Sequence, residues 1–238
     1  MPINHFIELF KKVSFTLDFP RRRKLWRKFE KLNDKNDYYD FAVNVFPSCQ
    51  IKSEIVQFLE FAEEYRPNII CEIGTFEGGT NFLLGQSISS VDTIIGVDLF
   101  CANVPLLSTF TKVGRKHHYI RGSSYSKETV QKVKNTLGNK TIDLLFIDGD
   151  HSYEGVKKDY EMYLPLISNK ALVVFHDIVE DHFTRFKTQT INCAGGVPQF
   201  WKEIKLEFLF KEFIANPEQD GFGIGVLMID KNKQFKSL

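Results

Sequence analysis

The chain has no apolar run near the ~18 residues that a membrane-crossing helix requires, so none is expected. Its first residues, "MPINHFIELFKKVSF", are broken by His5, Glu8 and lysines and lack the apolar core of a secretory signal. Cysteine is scarce. Cys49, Cys71, Cys101 and Cys193 form no Cys-x-x-Cys pair and no His/Cys cluster at zinc spacing. That pattern argues against a disulfide scaffold or a zinc module and suits a reducing, cytoplasmic chain. The net charge is only +1, which names no partner, and no repeat or low-complexity segment is present. A nucleic-acid partner is not expected.

What is there suits an enzyme-sized α/β domain. The 238 residues are 43% hydrophobic, enough for a real core, and the 23 phenylalanines read as core filling. Charge is uneven along the chain. Residues 1–36 hold ten Lys/Arg against four Asp/Glu, a surplus of +6, which leaves −5 for the rest of a +1 chain. A basic arm can meet phosphates or an acidic surface, although a solvated helix face explains it as well. Residues 1–50 read as a helical extension: Phe6, Leu9 and Phe10 at helical spacing, Pro20 as a break, then a helix over about 21–32 with Leu25, Trp26 and Phe29 on one face. Trp26 and Phe29 suggest the surface of a homodimer.

From residue 51 the pattern alternates. A helix near 51–65 precedes five short apolar runs, "NIICEIG", "TIIGVDLF", "HHYIRGS", "DLLFIDGD" and "ALVVFHDI", separated by helical or polar stretches. Strands alternating with helices predict crossover units and a parallel sheet covered on both faces. "LEFLFKEFIAN" and "FGIGVLMID", joined by "NPEQDG", predict an antiparallel hairpin. The expected fold over 51–238 is therefore a Rossmann-like, doubly wound, mostly parallel seven-stranded sheet ending in that hairpin.

The predicted strand ends carry the chemistry. "CEIGTFEGGTNFLL" puts Glu72 at the end of strand one. Gly74, Thr75, Phe76 and Gly78 follow in a turn that opens a helix. Phe76 stands where a dinucleotide fingerprint wants glycine, which weakens a pyrophosphate site and with it an NAD(P)-dependent oxidoreductase reading. A carboxylate at Glu72 suits an amino group or hydroxyls better than a phosphate. Asp98, with Leu99 after it, ends strand two and can take both hydroxyls of a ribose. Ser123 ends strand three, where it could meet an adenine edge.

Strand four ends in "FIDGDHSY" and strand five in "VVFHDI". Asp148, Gly149 and His151 then share the sheet's carboxyl edge with His176 and Asp177. Asp148, His176 and Asp177 can converge on a divalent ion such as Mg2+ or Mn2+. Alternatively His151 or His176 serves as a general base, with Asp148 beside it. Between residues 178 and 200 no element is evident. Gly195-Gly196 suggest a hinge there, and Phe200 and Trp201 suit either an acceptor pocket or the core.

These motifs resemble the class I S-adenosylmethionine-dependent methyltransferases. The Glu72-Ile73-Gly74 and Gly78 turn is similar to the first motif of the catechol-type O-methyltransferases. "DGDHSYEGV", the later Pro-Leu, "FHD" and "GGVPQFWKEI" resemble the family-24 group (cephalosporin hydroxylase-like and macrocin O-methyltransferase-like), over about residues 52–230. The resemblance implies S-adenosylmethionine as cofactor, with the Gly74–Gly79 backbone cradling its methionine part. It also implies O-methylation of a small-molecule acceptor, a hydroxyl on a sugar or glycosylated compound. One departure stands out: the catechol-type enzymes end strand five in Asp-Asn or Asp-Asp, and here the pair is His176-Asp177. A non-catalytic binding protein on a relic fold is the remaining alternative.

Overall fold

The structure is a computed structural model, and it describes residues 19–46 and 50–232. The helical run around Phe6, Leu9 and Phe10, and Cys49, lie outside the described residues.

Five parallel strands form the centre: β1 (Ile69–Ile73), β2 (Thr93–Asp98), β3 (Lys116–Arg121), β4 (Ile142–Ile147) and β5 (Ile167–His176). The tail adds β6 (Leu209–Phe213) and β7 (Ile224–Asp230), both antiparallel to their neighbours. The order across the seven-stranded sheet is β3-β2-β1-β4-β5-β7-β6. The predicted hairpin is there, with β7 rather than β6 against β5. Strand β6 is left at the rim, where its exposed Lys211 and Glu212 discourage pairing with another chain.

The helices are α1 (Phe19–Phe29), α2 (Lys35–Val45), α3 (Lys52–Tyr65), α4 (Gly79–Ser87), α5 (Val104–Thr109), α6 (Lys127–Leu137), α7 (Tyr153–Tyr163), α8 (His182–Phe186) and α9 (Val197–Ile204). Local chemistry sets several of their starts. Asp34, Ser126 and Ser152 each accept a hydrogen bond from the backbone N–H three residues on, satisfying a donor that the first turn leaves open.

Side-chain alternation along the strands divides the core in two. Ile70, Ile94, Leu144, Phe146 and Val174 face α2, α3 and α4, whereas Cys71, Ile95, Leu145, Val173 and Phe175 face α6, α7 and α9. Phe200 and Trp201 belong to the second core. Gly225 on β7 has no side chain where the Trp201 indole lies against it; a Cβ there would come within 2.7 Å of the ring.

The extension docks onto the body. Phe29 and Phe41 pack on Phe82 of α4, with ring centroids 6.0 and 5.4 Å apart, and Trp26 stacks on Phe110 at 6.1 Å. Of the two rings expected to offer a dimer surface, Phe29 is buried in the chain's own core and Trp26 packs half-buried against it. The 178–200 stretch is not structureless either: it contains α8 and the start of α9.

Phe82 is 1% exposed and touches rings from both α1 and α2. Phe82→Ala should lower unfolding free energy by roughly 3–5 kcal/mol, measured by urea denaturation. It should also make the α1–α2 segment the first site of proteolysis. A variant cut elsewhere first would show that Phe82 does not hold those helices.

Candidate active site

The sheet's connections reverse direction between β1 and β4, the place where α/β sheets leave a crevice at their carboxyl edge. Two loops meet there. Gly74 follows β1 at φ +89, and a side chain on it would overlap the carbonyl of Asp148, which follows β4. The strand ladder runs on into both loops: Asp148 N–H donates to Ile73 O and Gly74 N–H to Val97 O, each at 2.9 Å.

The turn after β1 is built around acidic and hydroxyl groups. Glu72 is 0% exposed. Asn81 Nδ2 donates to its Oε2 at 2.8 Å, while its Oε1 is buried with no partner. Burial pushes its carboxyl up to about 8, against the pull of the Asn81 bond. Thr75 Oγ1, also buried, lies close enough to the same carboxyl to pull it down with Asn81, but makes no full hydrogen bond. Phe76 sits at φ +44 with its ring 61% exposed, held there by Asp98, whose Oδ2 accepts Phe76 N–H at 2.6 Å and whose Oδ1 accepts Phe100 N–H at 2.7 Å. The exposed Leu99 adjoins them, and the half-buried Ser123 stands just past the end of neighbouring β3. At Gly78, also at positive φ, a Cβ would strike Leu107 of α5, so this glycine serves packing as well.

The second loop and the end of β5 make a charge cluster. His176 is 3% exposed; its Nδ1 lies 3.2 Å from Asp148 Oδ1 and 3.5 Å from Asp177 Oδ2. His151 enters from the open side, with Nε2 3.5 Å from Asp148 Oδ1 and Nδ1 3.4 Å from Asp177 Oδ2. Its Nδ1 also meets the carbonyl of Cys193. Hydrogen bonding to Asp148 carries the His151 pKa to about 9, against burial. Burial alone would lower His176, but Asp148 and then Asp177 hold it well above the ordinary range. Burial also works against the charge on Asp148; the two imidazoles outweigh it and keep the carboxyl below the ordinary range. Two carboxylates between two imidazoliums give a balanced set, which is how four desolvated groups are tolerated.

Several parts of this site escaped the sequence reading. Gln50, ahead of α3, donates from Nε2 to Asp148 Oδ2 at 3.3 Å, and its buried Oε1 has no partner. Asp177 is held at φ +62, which disfavours a branched side chain; Phe222 N–H donates to its Oδ1 at 2.9 Å. The loop carrying Phe222 is anchored on buried Glu54 of α3, which accepts from Ala215 N–H, Gln219 Nε2 and Gly223 N–H at 2.9, 2.8 and 3.0 Å. Neither Gln50 nor Glu54 stands in a motif, so nothing local marks them. The Gly195-Gly196 pair is not a free hinge. Side chains there would collide with His151 O and Tyr153 N, and Gly196 N–H donates to His151 O at 2.7 Å. Asp150 turns back over α7, accepting from Ser152 N–H and, at 3.2 Å, from the Tyr125 hydroxyl.

Asp148, His151 and Asp177 each present a ligand atom within 4.8 Å of the others. Two carboxylates and one imidazole are a donor set that fits Mn2+ or a similar ion better than all-oxygen Mg2+ chemistry. His176 backs the two carboxylates from the buried side. The sequence had assigned that set to Asp148, His176 and Asp177; His151 shares the carboxylates with His176 because the loop after β4 folds over the end of β5. Glu72 Oε1 and Thr75 Oγ1, both without a full hydrogen bond, fit the polar end of a ligand that carries donors, such as the amino-acid part of S-adenosylmethionine.

A family model described as "Methyltransferase domain", of methyltransferase family 24, matches residues 71–178, a span that contains every strand-end group just described from Glu72 to Asp177. The matched segment, 108 of the 238 residues, is similar to the methyltransferase domains of that family. An uncharacterized protein of Acanthamoeba polyphaga mimivirus is 36% identical to this chain over 112 residues, 44% of this chain and 49% of that one. The chain spans half or less of the length of the curated relatives it matches, 17% in one and 49% in the other. Among solved structures, an O-methyltransferase from Bacillus cereus in complex with SAH superposes with a TM-score of 0.60 at 15% identity, covering 84% of this chain and 94% of that one. The mycinamycin-pathway methyltransferase MycE, in complex with Mg, SAH and mycinamycin VI, gives 0.56 at 15% identity, covering 85% and 55%. At such identities the superpositions show a shared fold. No helix among the described residues is long and apolar enough to cross a membrane.

His151 holds its proton to about 9 in the folded chain, against an ordinary 6.5. The stability it adds is complete below 6.5 and is lost as pH rises through 9. Glu72, raised from 4.5 to about 8, acts in the same direction over a lower window. The melting temperature should therefore fall between pH 6.5 and 9, by less in His151→Gln. An equal fall in that variant would remove His151 from the account.

Proposed function

We propose that this chain transfers a methyl group from S-adenosylmethionine to a hydroxyl of a small-molecule acceptor, with a divalent ion at Asp148, His151 and Asp177. The observation that carries the reading is the contact of Gly74 with Asp148. It sets a cofactor-type turn, with its unpartnered Glu72, against a cluster of converging metal-type donors. The family match, and solved relatives crystallised with SAH and in one case also with Mg, support it.

S-adenosylmethionine would supply an electrophilic methyl on a sulfonium, and a divalent ion would supply Lewis acidity to the acceptor oxygen. The chain's own work is placement. Glu72 receives the ammonium, which a buried carboxylate binds strongly. Asp98 has both oxygens on backbone donors and can turn them to ribose hydroxyls. Exposed Phe76 and Leu99 offer apolar surface beside it, and Ser123 and Gly149 border the far end, where adenine would lie. Asp148 and Asp177, held by Gln50, His176 and Phe222 N–H, keep their remaining lone pairs aimed at one point. Such alignment lowers the barrier to in-line transfer mainly through positioning. The acceptor class we infer is a sugar or glycosylated compound, in keeping with MycE crystallised with mycinamycin VI. A second reading uses His151 as the base, favoured over His176 because its side chain is 30% exposed and that of His176 only 3%.

Calorimetry should give micromolar binding of SAH. Affinity should rise from pH 6 to 8, with proton release, because Glu72 is protonated below about 8 in the free chain and an ammonium favours its carboxylate. Absence of binding would sink the proposal. Methyl transfer to glycoside hydroxyls should stop in EDTA and return with Mn2+, and Asp148→Asn should lose at least about a hundredfold. Activity that persists in EDTA and climbs toward pH 9 would replace the ion by His151 as base.

A further inference from the structure

Beneath the glycine turn, a line of side chains runs from Glu72 to the loop before β3. Lys112 N–H donates to Gln86 Oε1 at 2.9 Å. A backbone N–H can only donate, so the Gln86 amide has one orientation, with Nε2 toward His117 Nε2 at 3.1 Å. That ring nitrogen must accept. The proton of a neutral imidazole then lies on His117 Nδ1, which donates to the Tyr119 hydroxyl at 3.0 Å. Burial keeps the imidazole neutral, lowering its pKa to about 4. The Tyr119 hydroxyl donates in turn to Asn81 Oδ1 at 3.2 Å, and Asn81 Nδ2 ends the line by donating to Glu72 Oε2 at 2.8 Å. With the imidazole neutral, every polarity in the line follows from one backbone amide.

The fold clears space for this line. A Cβ on Gly96, within β2, would come within 2.6 Å of Thr75 Oγ1, 3.1 Å of the Tyr119 ring and 3.2 Å of Asn81 Nδ2. One on Gly85 would come within 3.3 Å of His117. Asn81 and Gln86 are, with Thr80, the buried polar residues of α4, and both are 0% exposed, a placement a core keeps only when such amides are bonded.

We infer that Gln86, His117, Tyr119 and Asn81 are positioning residues: a one-way chain of donors that fixes Glu72 Oε2 and leaves Oε1 for the ammonium of the cofactor. This rests on the reading that the ammonium meets Glu72. All donors point toward the carboxylate, so their dipoles add and support its charged form at the moment a cation arrives. A chain kept only for packing would favour no particular ligand group.

The test is calorimetry with two ligands, SAH and its deaminated analogue, which keeps the adenosyl thioether and the carboxylate but has no amino group. Wild type should bind SAH more tightly. Tyr119→Phe breaks the line and should weaken SAH on the order of tenfold while leaving the analogue's affinity unchanged. His117→Phe, one link further from Glu72, should show a smaller loss of the same selectivity and serves if Tyr119→Phe does not fold. Equal losses for both ligands, or none for either, in a folded variant overturn the inference while the cofactor reading stands. Wild type that binds neither ligand overturns the cofactor reading itself, and the inference with it.

Discussion

The close approach of Gly74 to Asp148 is the constraint on which the rest of the site depends. Each loop leaves its own strand, and β1 and β4 are neighbours only because the chain winds outward through β2 and β3 and then returns to the middle. A glycine at φ +89 lets the two backbones touch. Any other residue would push the turn with Glu72 away from the cluster with Asp148, and the two halves of the site would lose their register. Strand pairing brings the two loops together, and this one contact then fixes their geometry and the placement of charge.

Burial then grades the groups. Glu72 and His176 lie under the surface, whereas His151 and Gly149 stand at its mouth. In that arrangement the deep groups hold the shape and the outer ones can meet ligands. Asp177 illustrates the cost of such placement. Its left-handed backbone is unfavourable for a residue with a side chain, and it is kept by a hydrogen bond from Phe222, whose loop hangs on Glu54. A residue of α3 therefore supports a carboxylate at the end of β5 without touching it. The extension plays a similar part on the other face, where Phe29, Phe41 and Phe46 close the core around Phe82 and bring Gln50 to Asp148.

Much of this was legible before any coordinates. Five apolar runs of strand length, divided by helical stretches, specify a parallel sheet because period and turn chemistry act locally. The acidic residues at the ends of the runs specify the functional edge because a charge ending a buried strand needs a partner. Other parts were not legible. Trp26 and Phe29 have the same amphipathic pattern whether they face a second copy or the chain's own body. Gly195-Gly196 reads as a hinge or a close contact equally well until His151 and Tyr153 are seen against it. Gln50 and Glu54 carry no motif, and their partners lie 98 and up to 169 residues away.

The sequence by itself therefore determined the order of elements, the strand ends that bear the chemistry and the resemblance to the methyltransferases, all of which rest on neighbours in the chain. Only the tertiary structure decided which groups share a proton or a ligand point. It brought His151 beside His176 at the same carboxylates, oriented the donor line from Lys112 to Glu72 and turned the extension inward. The physical reason is distance. Hydrogen bonds and ion pairs act over about 3–4 Å, and only the packed sheet brings residues far apart in the chain that close.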